Sequence, residues 1–299
     1  MIAWLFLFPT LLILVLFLYY PVIQSFVLSA YRSNLLLGTR AYVGLENFRS
    51  LFSGPQAPAF FQASVQTVLF AILVTVPGVA VSMVLATIAS RPVTGGRFYR
   101  LMLIWPFALS PAIAGTIFLF MFNPEVGIVN QILSTLVGIK PRWLDNPTLA
   151  FTVAVSAAIW KNLGYNIVFY LAALQNVSPH LVEAAEIDGA GPVTRFLRVK
   201  VPMLSPTTFF LVFTNLAYSF FNVFGLIDIL TAGGPMGSGI ADNTGVTTTL
   251  IVKIFRDGFG GSSNMGLAAA QGVILMGVAV AVTVGQFRLG GKGVHYEGA

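Results

Sequence analysis

Residues 178–202 read Ser178-Pro-His-Leu-Val-Glu183-Ala184-Ala185-Glu-Ile-Asp188-Gly189-Ala-Gly-Pro192-Val-Thr-Arg195-Phe-Leu-Arg198-Val199-Lys200-Val201-Pro202. This is the longest charged interruption in the second half of the chain, and it lies between two long apolar segments. Its local chemistry predicts two short helices joined by a hinge. Ser178 suits an N-cap and Pro179 the first helical position, where a missing N–H costs nothing. Gly189-Ala190-Gly191 gives the backbone freedom where the first helix must stop. Pro192 then opens the second helix, and Pro202 marks entry into the next apolar segment. Carboxylates gather on the first helix (Glu183, Glu186, Asp188) and bases on the second (Arg195, Arg198, Lys200). The expected product is a compact bihelical knuckle presented to water.

The apolar segments flanking it set the class. Charged residues make up only 9% of the 299-residue chain, against roughly 25% in a soluble domain, and mean hydropathy is +0.86. One water-soluble core cannot hide that much apolar surface, so a polytopic membrane protein is expected, a single transmembrane domain over 1–299. Six segments, near 2–29, 63–89, 99–122, 149–174, 204–230 and 266–288, are each long enough for a bilayer of roughly 30 Å, which needs about 20 helical residues. Lipid offers the backbone no partners, so the spans must be helices and the fold class all-α. The first span lacks a basic flank and a cleavage site, which argues against a signal peptide. Pro77-Gly78, Pro106 and Pro111 fall within spans as hinges or static kinks. Gly277, Ala281 and Gly285 form a small-residue packing stripe.

Even span number places both ends on one side. With that side cytoplasmic, the inner loops hold Arg91, Arg97, Arg100, Arg195, Arg198, Lys200, Arg288 and Lys292. The outer loops hold Arg32, Arg40, Arg49, Lys140, Arg142, Lys253 and Arg256. The totals nearly tie, but the dense basic cluster in the short 91–100 loop decides for cytoplasmic termini.

Absences narrow the chemistry. The chain has no cysteine, hence no disulfide or thiolate site. There is no Gly-x4-Gly-Lys-Ser/Thr to cradle ATP phosphates and no Gly-x-Ser-x-Gly. His180 and His295 are too far apart for a zinc motif. The net charge of +6 comes with no basic run, so it speaks for basic membrane-proximal loops rather than nucleic acid. The chain reads as a non-enzyme with no cofactor or metal of its own. Three classes compete for such a chain: a subunit of an ATP-driven importer, a stand-alone channel or secondary carrier, and a membrane enzyme. A carrier calls for repeats and intramembrane carboxylates, and an enzyme calls for catalytic groups; neither is evident.

Glu183-Ala184-Ala185, three residues, Gly189, nine residues, then Val199, one residue, Val201 and Pro202 resembles the EAA loop of ABC-importer permeases. The family more often has Ile and Leu at the two valine positions. Within the family, the chain is most similar to the maltose-type sugar permeases, and among these to the A-type permease of glycerol-3-phosphate importers. Val43-Gly44-Leu45-Glu46-Asn47-Phe48, Arg97-Phe98-Tyr99, Phe122-Asn123-Pro124, Trp160-Lys161, Ile187-Asp188-Gly189-Ala190-Gly191-Pro192, the Gly233-Gly234-Pro235 turn, Lys253-Ile254-Phe255-Arg256-Asp257-Gly258-Phe259 and Gln286-Phe287-Arg288 carry it. The resemblance implies a type I ABC-importer permease in the bacterial cytoplasmic membrane, moving glycerol-3-phosphate, a glycerophosphodiester or a neutral sugar by alternating access. It implies a coupling helix built on Glu183, Ala184, Ala185, Asp188, Gly189, Pro192 and Pro202. The implied partners are a second homologous permease, two ATP-binding subunits that bind ATP and Mg, and an extracytoplasmic substrate-binding protein.

Polar side chains inside the spans are candidates for the substrate pathway. Asn215, Tyr218 and Asn222 stand at i, i+3 and i+7, on one helical face that should meet either a cavity or a neighbouring helix. Lys161 lies near mid-membrane with Asn162, Tyr165 and Asn166 around it. A lysine there costs at least ~2.5 kcal/mol unless it finds water or partners. It either draws an anionic substrate or donates to carbonyls freed by a broken helix. The structural role gains weight because similar permeases for neutral sugars also carry Trp-Lys.

Overall fold

The computed structural model describes residues 2–34, 37–92, 94–236, 243–260 and 263–290. Lys292 and His295 lie outside the described residues. The architecture is mostly helical, with three continuous helices long and apolar enough to cross a membrane: Phe6–Ser29, Ala57–Ala89 and Met265–Arg288. Two further candidates are bent pairs, Gly96–Ala108 with Pro111–Met121 at 104° and Pro192–Met203 with Ser205–Phe221 at 72°. Pro147–Leu174 has 28 residues, about 42 Å of helix at 1.5 Å per residue. Lys161, Asn162 and Asn166 interrupt its apolar character, and for that reason it falls outside the three.

Several expectations are corrected. The chain is not wholly α: Tyr31–Asn34 and Thr39–Tyr42 form an antiparallel hairpin, Tyr31 opposite Tyr42. The segment expected at 204–230 is two helices, Ser205–Phe221 and Phe224–Thr231. Asn222 caps the first, and the second is docked on Pro111–Met121 where Gly115 lets it approach. A Cβ at Gly115 would stand 2.7 Å from the Leu226 carbonyl oxygen. The 99–122 segment breaks at Pro106 and Pro111, as its prolines require, through a 3₁₀ turn over Trp105–Ala108. Pro77, by contrast, lies inside the unbroken Ala57–Ala89 helix.

The chain divides into two compact units. One comprises residues up to 64 together with 249–280. Here Asn47 is buried and its Nδ2 donates to the Ser29 and Tyr31 carbonyls at 2.8 and 2.9 Å. Gly266 is packed so closely against the Tyr31 carbonyl that no side chain fits. Lys253 Nζ donates to Asp257 Oδ2 at 2.9 Å, and Gln271 Nε2 donates to the same oxygen at 2.6 Å.

The other unit holds 65–248 and the segment from 281 onward. Its core joins Val79, Met83 and Ala86 to Ile167, Tyr170, Leu204 and Leu211, and Tyr170 Oη is hydrogen-bonded to Thr208 Oγ1 at 3.0 Å. Gln286 Nε2 donates to the Phe209 carbonyl at 2.8 Å, beside the Phe209–Phe287 ring pair. The Gly233-Gly234-Pro235 turn is folded back on itself. Thr247 and Thr248 are buried and donate to the Gly234 and Gly233 carbonyls at 3.0 and 2.8 Å. The portion of this loop at 237–242 lies outside the described residues.

Candidate functional site

The 178–202 stretch folds as two short helices, Pro179–Ile187 and a second running from Pro192 to Met203 with a π-helical middle. The turn between them closes by a Schellman arrangement. Gly189 N–H donates to the Glu186 carbonyl at 3.0 Å and Ala190 N–H to the Ala185 carbonyl at 2.9 Å, with Gly189 at φ +79°. That backbone is left-handed, which favours glycine. Arg195 Nη1 meets Glu186 Oε2 at 2.5 Å and ties the second helix to the first. Ser178 occupies the N-cap position as expected, but its side chain makes no capping hydrogen bond.

Glu183, Ala184, Asp188, Gly189, Pro192 and Pro202 are exposed, and Ala185 is half-buried. Glu183 lies 3.8 Å from His180 Nδ1. The charge pattern gave no hint of the apolar part of this face. Ile187 is 87% exposed and Val193 70%, so the knuckle presents aliphatic as well as charged side chains. The signal was available in the sequence, since an isoleucine at a helix end beside Asp-Gly has no core to enter.

A second constellation sits in the middle of Pro147–Leu174. Asn162 Nδ2 donates to Asn215 Oδ1 at 2.5 Å, Asn215 Nδ2 to Asn166 Oδ1 at 2.8 Å and to the Leu211 carbonyl at 2.7 Å. The three amides thus close on one another between two helices, all buried. Asn215 meets a neighbouring helix. Asn222, expected on the same face, is exposed at the helix end.

Lys161 is 7% exposed. Its ammonium lies 5.0 Å from the Phe107 ring centre and 5.4 Å from that of Tyr218. Among the described residues it makes no hydrogen bond or ion pair, and it does not donate to the carbonyls of the broken helix nearby. The break comes close because of Gly164: a Cβ there would lie 2.4 Å from the Ile104 carbonyl oxygen. That contact seats the Trp105–Ala108 turn against Lys161 and Tyr165, whose ring is 5.3 Å from Phe107. Trp105 and Trp160 meet edge to face at 6.1 Å.

The family model "Binding-protein-dependent transport system inner membrane component" matches residues 50–289. The chain belongs to this family. It is similar to the sn-glycerol-3-phosphate transport system permease protein UgpA of Pectobacterium atrosepticum, 39% identical over 97% of this chain and 94% of that protein. The UgpA protein of Agrobacterium fabrum is likewise 39% identical, over 96% of this chain and 94% of its own length. In fold it matches a chain of the bacterial alginate ABC transporter solved with an alginate-bound periplasmic protein, with a TM-score of 0.80 at 23% identity, covering 96% of this chain and 93% of that one. The molecule is a multi-pass permease component of a binding-protein-dependent ABC importer, homologous to UgpA, and not itself an enzyme.

Proposed function

We propose that this permease carries glycerol-3-phosphate or a glycerophosphodiester across the bacterial cytoplasmic membrane by alternating access. We count six spans by adding Pro147–Leu174, the bent pair over 96–121 and the pair Ser205–Phe221 with Phe224–Thr231. An even number puts both termini on one side, and the basic 91–100 loop makes that side the cytoplasm. The permease pairs with a second homologous permease, two ATP-binding subunits that hold ATP and Mg, and an extracytoplasmic substrate-binding protein. It needs no cofactor of its own. Glu183, Ala184, Ala185, Asp188, Gly189, Pro192 and Pro202 form the coupling surface, with Ile187 and Val193 as its apolar contacts. Lys161, Asn162, Tyr165, Asn166, Asn215, Tyr218 and Asn222 define the substrate-pathway region, with Asn162, Asn166 and Asn215 holding its helices together.

One observation carries the choice of substrate: a buried ammonium in mid-helix with no carboxylate opposite it among the described residues. A cation left at that depth is costly, and an anionic substrate arriving in the pathway supplies the missing countercharge. The resemblance to UgpA points to the same class of substrate.

A neutral sugar is the second reading, supported by the Trp105, Phe107 and Tyr165 rings, which suit the apolar face of a sugar. Uptake by Lys161→Met and Lys161→Arg in the assembled importer decides between them. Under the phosphate reading Met raises the apparent KM for glycerol-3-phosphate at least tenfold and Arg largely preserves it, roughly the 1.4 kcal/mol of one lost charge contact. Equal uptake by both variants removes Lys161 from the site.

A further inference from the structure

Where the Ala57–Ala89 helix ends and the second knuckle helix begins, a cavity of about 330 Å³ opens at the surface. Three cations line it: Arg91 from just beyond the long helix, and Arg195 and Lys200 from the 192–203 helix. Only Arg195 has a carboxylate, Glu186; among the described residues Arg91 and Lys200 have no ion pair. The field inside is therefore positive.

Apart from Thr87 the remaining wall is apolar, with Val84, Ile88 and Phe196 beside Pro192 and Val193 of the knuckle. Val84 and Ile88 belong to a longer track. Val81, Val84 and Ile88 follow one another at intervals of three and four, so they share one face of the helix, and Arg91 follows two residues beyond its end. The three aliphatic members are 43%, 45% and 48% exposed. An exposed aliphatic stripe thus runs down a membrane-length helix and ends at a cluster of three cations.

We infer that this cavity binds the phosphate headgroup of an anionic phospholipid, Arg91 and Lys200 holding the phosphate while an acyl chain lies along Val81, Val84 and Ile88. A soluble phosphate shares the headgroup's charge but has no use for the aliphatic track. Basic pockets at a membrane face bind such headgroups through the same chemistry. Because the cavity shares Arg195 with the knuckle, the lipid braces the helix that bears the coupling surface. The inference does not depend on which substrate is carried.

The importer, assembled with its partner subunits, is placed in nanodiscs of phosphatidylcholine containing a minor fraction of phosphatidylglycerol, and retained lipids are read by native mass spectrometry. Phosphatidylglycerol is expected to remain bound in preference to phosphatidylcholine, to resist millimolar inorganic phosphate, and to be retained about twentyfold more weakly by Arg91→Gln/Lys200→Gln. Arg91→Lys keeps the charge and should keep the lipid, as should Arg97→Gln, whose side chain does not line the cavity. Equal retention by the double variant, equal loss in Arg97→Gln, or displacement by inorganic phosphate each overturns the inference.

Discussion

Lys161 holds its ammonium 5.4 Å from the centre of the Tyr218 ring, and the hydroxyl of that same ring is buried without a hydrogen-bond partner among the described residues. The ring and the hydroxyl therefore pull in opposite directions. A desolvated cation over an aromatic face gains about 2 kcal/mol, whereas an unpaired buried hydroxyl costs about 1–3 kcal/mol. Tyr218→Phe keeps the first and removes the second, so the thermal stability of the purified complex should hold or rise. Tyr218→Leu should lower it by about 2 kcal/mol. Thermal unfolding followed by size-exclusion fluorescence checks the order; a Phe variant as weak as Leu means that the hydroxyl has a partner after all.

The three-asparagine clamp gives a second test, and the absence of native cysteine makes it clean. Asn215 is 1% exposed and bonded on both sides, while Asn222 is exposed at the helix end. Single cysteines treated with a water-soluble thiol reagent should therefore be labelled at 222 and spared at 215. Asn215→Leu should also destabilise by roughly 1–2 kcal/mol, the upper range for interhelical hydrogen bonds in membranes. Strong labelling at 215 would show that the clamp opens during the cycle.

How much of this was legible in the sequence depended on the range of the interaction. Gly189, Pro192 and the two knuckle helices were readable because a cap and a turn are local chemistry. The breaks at Pro106 and Pro111 were readable for the same reason. The split at Asn222 was not, since it comes from the close approach of Leu226 to Gly115, two residues far apart in the chain. Gly164 was silent as well: one glycine among 29, meaningful only once the Ile104 carbonyl lies against it. The hairpin at 31–42 was hidden by an all-helical expectation that lipid imposes on spans but not on the loops between them. Asn215 and Asn222 share a spacing, yet one ended in a clamp and the other in solvent because the helix stops between them and the next turn.

Lys253 and Asp257 form an almost fully enclosed pair, with side chains 7% and 18% exposed, and Gln271 donates to the same carboxylate oxygen. Removing one member of such a pair leaves the other uncompensated, at about 3–5 kcal/mol, whereas replacing both is often close to neutral. Lys253→Met is therefore expected to reduce the yield of assembled complex sharply, and Lys253→Met/Asp257→Leu to recover much of it. Thermal stability of the single and double variants measures the coupling. A double variant worse than the single would make the pair a source of stability rather than of specificity.

Gly189 offers the sharpest test of the coupling surface, because its constraint is purely one of backbone. At φ +79° a side chain is strained whatever the space, yet nothing lies within 4 Å of the position a Cβ would take. Substitution there should cost about 1–2 kcal/mol of local conformation and create no clash. The turn would then relax, shifting Glu183 and Ile187 relative to Val193 while the spans stay folded. Gly189→Asn, which tolerates the left-handed region, should keep coupling. Gly189→Leu should leave the complex inserted and assembled but separate ATP hydrolysis from uptake, with transport reduced at least tenfold. Measuring both activities in the same proteoliposomes distinguishes this from loss of assembly, in which receptor-stimulated ATP hydrolysis disappears too. Full uptake by the leucine variant would mean that the knuckle's turn geometry does not transmit the motion.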